Sequence, residues 1–307
     1  MPRILAGTAE GLFRPEAGTG GQDRILDGHR INAIAPAGGK QLWGVVDDRE
    51  VWRSDDVDSE WKRVAAIDRD TGECLVDTRA NADNGILIGT SGAHLRRVTN
   101  DALEPVASFE HAPGRDDWFT PWGGPPAVRS ISENRNAVFV NVHVGGVLRS
   151  RDEGVSWEPT IDIHADVHRV TTGAGRVFAA GGRGLSVSSD DGDTWRLVSR
   201  GMHGSYCRSV AFAGETVLIS ASDGPRGGRA ALYRTELEAK AVERCRDGLP
   251  EWFEGNIDSL CLDALPDGSF SAFASESGDV FASTDQGASW TRLAASLPGV
   301  RCLLVLP

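Results

Sequence analysis

Three copies of one pattern, Ser-x-Asp-x-Gly-x-x-Trp, constrain what this chain can fold into more than any other feature of its 307 residues. They stand at Ser150/Asp152/Gly154/Trp157, Ser188/Asp190/Gly192/Trp195 and Ser283/Asp285/Gly287/Trp290. A fourth copy, Ser54/Asp56/Asp58/Trp61, has aspartate in place of the glycine. The residue types are those of a tight turn: the aspartate accepts backbone N–H groups, the glycine supplies positive φ, and the tryptophan packs between neighbouring sheets. Asp152 and Asp190 are 38 residues apart, whereas Asp56–Asp152 and Asp190–Asp285 span 96 and 95, each suiting two units of about 48. One unit without the motif is therefore expected in each long gap. The four aspartates and four tryptophans are expected to hold units together, not to carry chemistry.

Upstream of each complete motif runs a strand pattern, a glycine followed by alternating apolar residues: 146–150, 184–188 and 278–283. Related patterns occur at 11–13, 50–54, 93–96 and 231–234, giving seven third strands and hence seven sheets. Seven apolar innermost strands are expected at 31–35, 74–78, 128–132, 167–171, 207–211, 257–262 and 300–306. The last has no strand after it, while the N-terminal 4–8 reads as a second strand. The C-terminal strand is therefore expected to complete the first sheet from inside, hiding both edges. The expected fold is all-β, a single seven-bladed β-propeller over 1–307. Its blades are expected near 1–28 plus 299–307, 29–68, 72–109, 126–162, 166–199, 206–248 and 256–296.

Composition agrees. Thirty-seven glycines suit many short strands joined by tight turns. A net charge of −12, with only Lys40, Lys62 and Lys240 as lysines, makes nucleic acid and anionic lipid poor partners. The five cysteines (Cys74, Cys207, Cys245, Cys261, Cys302) have no CxxC spacing and read as small buried hydrophobes in a reducing cytosol. The N-terminus has no charged-then-apolar signal region and no apolar run nears the ~18 residues that span a bilayer, so a soluble, cytoplasmic protein is expected; a monomer is expected as well.

The three complete motifs resemble the BNR or Asp-box repeats of sialidases, of sortilin-type receptors and of the photosystem II assembly propellers of cyanobacteria and plants. The resemblance covers nearly the whole chain as a periodicity. It implies the propeller fold but leaves function open among hydrolases, receptors and assembly factors. A sialidase-like activity would need six blades, an Arg-Ile-Pro stretch and a tyrosine–glutamate pair. No Arg-Ile-Pro is present, and the only tyrosines are Tyr206 and Tyr233.

Aligning the innermost strands on their apolar residues puts Asn32, Cys74 (or Glu73), Arg129, His168, Arg208, Asp258 and Arg301 in one register, expected to face the central channel. Three arginines and a histidine there would attract an anion, and Tyr206 adjoins the collar. Long loops at 105–127, 222–229 and 245–255 should share the same rim and carry Trp118, Trp122 and Trp252 beside carboxylates, either as a ligand platform or as a cap over the ring. The first functional expectation is therefore non-catalytic binding of an anionic small molecule or protein segment. The alternatives are a glycoside hydrolase or lyase using Asp166 or Asp258, with Glu73, Asp117 and Glu254 as further carboxylates, and a protein assembly or scaffold factor. No cofactor is required, although His143, His164, His168 and His203, grouped on one rim, are candidate ligands for a divalent metal.

Overall fold

The computed structural model describes residues 2–15, 22–77, 85–99 and 101–307. Seven four-stranded antiparallel sheets form a ring. Their innermost strands, in blade order, are Cys302–Leu306, Ile31–Pro36, Gly72–Asp77, Ala127–Glu133, Val167–Gly173, Tyr206–Ala213 and Leu262–Ala264. Among the described residues no helix is long and apolar enough to cross a membrane.

The expected closure is present. Cys302–Leu306 pairs antiparallel with Arg3–Gly7 through five residue pairs, from Arg3↔Leu306 to Gly7↔Cys302. Blade seven grips the same strand from its other side: Leu303 N–H donates to the Leu260 carbonyl and Val305 N–H to Asp263 Oδ2, each at 2.8 Å. The ring is thus locked by hydrogen bonds on both edges of its last strand.

The three complete Ser-x-Asp-x-Gly-x-x-Trp turns join third to fourth strands and share one hydrogen-bond pattern. In the first, Ser150 Oγ donates to Asp152 Oδ1 (2.8 Å) and accepts Gly154 N–H (2.8 Å), while Ser156 N–H donates to Asp152 Oδ1 (2.9 Å). Asp190 and Asp285 repeat this with Thr194 and Ser289. Backbone and hydroxyl donors from Thr194 hold the Asp190 carboxyl down at about 2. Two successive residues take positive φ in each turn, Glu153/Gly154, Asp191/Gly192 and Gln286/Gly287. In the fourth copy Asp58 does not adopt that conformation, and Ser54 Oγ instead donates to the Asp56 carbonyl. Glycine is thus what the double left-handed turn requires, and its loss at Asp58 produces a different loop. The motif-free units that fill the two long gaps are blades three and six, one in each, and blade one also lacks the motif.

Trp61, Trp157 and Trp290 are buried, and Trp195 is partly so. All five cysteines are buried free thiols, as their apolar settings require.

One departure matters for the site. Blade seven's innermost strand begins only at Leu262; residues 257–261, expected as strand, form a turn in which Cys261 N–H donates to the Asp258 carbonyl (3.0 Å). Leu260, carried on that turn, lines cavities on both sides of it and packs against buried clusters of blades one to four. It stands between the mouth cavity and an inner chamber lined by the innermost strands.

Candidate functional site at the channel mouth

The collar positions share a backbone device. In blades two to five the antiparallel register slips by one residue, between Ile31 and Ala33, Gly72 and Cys74, Val128 and Ser130, and Val167 and Arg169. In blade six it slips between Cys207 and Val210. The unpaired residues are Asn32, Glu73, Arg129, His168 and the pair Arg208–Ser209. A β-bulge re-aims the side chain of its extra residue, so five blades use the same irregularity to turn one residue out of the ladder.

Asn32, Glu73, Arg129, Arg208, Asp258 and Arg301 line one cavity of ≈ 510 Å³ at the mouth. Of the alternatives at the third blade, Glu73 faces this cavity, whereas Cys74 is buried with its Sγ toward the Val128 carbonyl. Arg226, Asn256 and Glu276 also line the cavity. Inner-strand alternation does not point to them, because they belong to neighbouring loops and not to inner strands.

Arg208 is paired with Asp258 (Nη1–Oδ1, 2.9 Å) and lies over the Tyr206 ring, 5.7 Å from its centre. Arg129 and Arg301 form no ion pair or side-chain hydrogen bond among the described residues; Arg129 is partly buried and Arg301 exposed. Four arginines against Glu73, Asp258 and Glu276 leave a formal +1 at the mouth of a chain whose total is −12.

The two inner carboxylates are driven in opposite directions. Burial pushes Glu73 above the usual carboxylate range, only partly offset by Arg129 and Arg301. Burial also opposes ionisation of Asp258, but the Arg208 and Arg129 guanidiniums outweigh it and hold that carboxyl low. Glu73 thus takes up a proton before Asp258 on acidification, raising the mouth to +2. Because its folded pKa lies above its unfolded one, the stability linked to Glu73 is complete below the ordinary glutamate value and is lost as pH rises through the raised one. Glu73→Gln is therefore expected to raise the melting temperature at pH 8 and leave it nearly unchanged at pH 4. Thermal melts across that range check this, and an equal shift at both ends would contradict it.

His168 occupies a collar bulge but does not reach the mouth cavity. Its ring is buried, and Nδ1 lies 2.6 Å from the Cys207 carbonyl of the next blade. Its Nε2 faces Asp166 Oδ1 at 3.1 Å, as does Nε2 of His143, also at 3.1 Å. Of the four histidines singled out, only His143 and His168 come together. His164 is exposed beside Phe119 (6.5 Å between ring centres), and His203 packs on Trp252 with Nδ1 at 2.6 Å from the Tyr233 hydroxyl.

The loop aromatics divide as well. Trp118 is buried against Phe109 in the blade-three and blade-four core, so it caps the ring. Trp252 is clamped between His203 and the Arg244 guanidinium, 3.6 Å from its ring centre. Trp122 is largely exposed and lies over His143, with ring centres 4.9 Å apart.

The fold and the mouth define a seven-bladed β-propeller with a polar collar. No protein-family model matches the sequence, and no curated protein matches it. Solved structures do match in fold. The WD40 β-propeller domain of Doa1 is 14% identical with a TM-score of 0.65, covering 97% of this chain and 86% of that one. YCF48 bound to D1 peptide is 13% identical with a TM-score of 0.59, covering 96% and 88%. The GH74 xyloglucanase from Xanthomonas campestris is 15% identical with a TM-score of 0.62; the match covers 95% of this chain but only 46% of the enzyme's.

Proposed function

We propose that this propeller binds an anionic group, presented by a small molecule or a protein segment, at the channel mouth and does not turn it over. One observation carries the reading: Arg129 and Arg301 line a ≈ 510 Å³ cavity and have no ion-pair partner among the described residues. Guanidiniums so placed offer charge-assisted, bidentate donors to carboxylate or phosphate. A peptide-bound propeller among the structural neighbours supports the protein-segment form. Five buried free thiols support a reducing compartment.

The test is a thermal-shift and calorimetric screen with citrate, inorganic phosphate and a glutamate-rich peptide. At 100 times the dissociation constant a ligand stabilises its protein by about 2.7 kcal/mol, which is on the order of 4 °C for a chain of this size. That shift is expected for one of the three probes and is expected to vanish in Arg129→Ala/Arg301→Ala. A probe bound equally by the double variant would refute the assignment.

The same mouth supports a second reading. Opposite displacement of two carboxylates, Glu73 up and Asp258 down, is how a glycosidase divides its acid and base roles. Hydrolysis of chromogenic glycosides, lost in both Glu73→Gln and Asp258→Asn, would establish it in place of simple binding.

A further inference from the structure

Beside the mouth, where blades four and five meet, three side chains converge in contacts that lack hydrogen-bond geometry. His143 ends the second strand of blade four, and Asp166 and His168 flank the start of the innermost strand of blade five. His143 Nε2, His168 Nε2 and an Asp166 oxygen all lie within 4.8 Å of one another. Both nitrogens approach the same oxygen, Oδ1, to 3.1 Å, yet neither contact has hydrogen-bond geometry, and all three atoms are buried without a hydrogen-bond partner among the described residues. His168 is only 3% exposed. An N–H on either ring would therefore not point at the carboxylate.

The surroundings fix these rings in that pose. His168 Nδ1 is occupied by the Cys207 carbonyl at 2.6 Å, so Nδ1 carries the hydrogen and the lone pair of the neutral ring is left on Nε2. A backbone carbonyl on the far nitrogen is the usual partner of a metal-bound imidazole. Tyr206 lies against one side of His168, with ring centres 4.7 Å apart, and Trp122 covers His143. The Asp166 carbonyl accepts Gly182 N–H at 2.8 Å, and a side chain at position 182 would strike the Asp166 carboxylate, its Cβ falling 2.9 Å from Oδ2. The carboxylate is held in place from its own backbone and from the neighbouring turn.

We propose that His143, Asp166 and His168 form a three-ligand site for a divalent late transition metal, zinc foremost. Tetrahedral zinc holds nitrogen and oxygen ligands at about 2.0–2.2 Å, which sets ligand atoms roughly 3.3 Å apart, so the two 3.1 Å separations need little change. Two imidazoles and one carboxylate suit zinc, nickel or cobalt and are a poor set for magnesium or calcium, which prefer oxygen ligands. The fourth position would be left to water or to an acidic group on a partner.

The test uses full-length protein without a histidine tag. After treatment with EDTA and its removal, the protein is titrated with zinc by calorimetry and with cobalt by visible absorption. One equivalent of zinc and the absorption bands of four-coordinate cobalt are expected. Asp166→Asn and His143→Gln are expected to weaken zinc binding by at least about tenfold, the lower end of what even supporting residues of a metal site contribute. Circular dichroism checks that both variants fold, and His164→Ala, on the same rim but outside the triad, is expected to bind like the parent. No zinc uptake by the parent would overturn the site in favour of a metal-free histidine–carboxylate cluster. Unchanged uptake by both triad variants, or loss only in His164→Ala, would place the metal elsewhere and overturn it equally.

Discussion

A chain ending at residue 300 is expected to give no cooperative unfolding transition and to accumulate as aggregate. The missing strand, Cys302–Leu306, is the innermost of blade one, and Leu303, Leu304 and Val305 are buried. Burying each side chain of this kind contributes about 1.5–3 kcal/mol, together roughly 5–9 kcal/mol, a large share of the 5–15 kcal/mol by which native domains are typically stable. The deletion also leaves the inner edge of Arg3–Gly7 unpaired and removes the partners of Leu260 and Asp263 on blade seven. Unpaired edges of this kind recruit other chains. A permuted chain that places residues 300–307 ahead of Arg3 through a short hairpin keeps the strand and should recover a sharp melt, since Leu306 already faces Arg3. Size-exclusion chromatography and thermal melts of the two chains decide the matter. A soluble truncated protein with an unchanged melting temperature would contradict ring closure as the source of stability.

Trp290→Ala is expected to have the largest effect of any single substitution. The indole is 4% exposed, stands edge-on to Phe273 with ring centres 5.0 Å apart, and donates to the Gly287 carbonyl (3.1 Å) within its own turn. It belongs to a buried cluster that joins blades six, seven and one. Removing a buried tryptophan typically costs 3–5 kcal/mol in lost transfer energy and cavity formation. Chemical denaturation should therefore show the midpoint moving far down, whereas Trp195→Ala, at a partly exposed copy of the motif, should cost distinctly less. Equal losses at the two positions would show that the turn, and not the interblade packing of the indole, carries the stability.

The blade count and the closure were legible because both follow from short-range pattern: a turn of fixed chemistry, a glycine-led third strand, and an unpartnered strand at each end. The collar was legible only in part, for a reason visible in the backbone. Alternation of side chains predicts which residues oppose the core, and a bulge inserts a residue that alternation does not count. At the third blade that extra residue is Glu73, and pattern alone could not separate it from Cys74. At the fifth blade the bulged residue is His168, whose ring is drawn sideways to the Cys207 carbonyl, and Arg169 enters the inner chamber instead. Its Nη1 donates to the carbonyls of Ser259 (2.5 Å) and Leu262 (2.8 Å). The apolar residues of 257–261 suit strand or turn alike, and only the structure reveals Leu260 between the two cavities. Trp118 and Trp122 look alike in sequence; the 3-10 turns at Phe109–His111 and Arg115–Asp117 precede the buried Trp118, while Trp122 lies beyond it on the surface.

The central claim, that guanidiniums converge on the channel mouth to hold an anion, is tested most directly by anomalous diffraction from crystals soaked in selenate. A selenium peak within hydrogen-bonding reach of both Arg129 and Arg301 is the predicted result. Selenium peaks confined to other arginines, with none at the mouth, would contradict it.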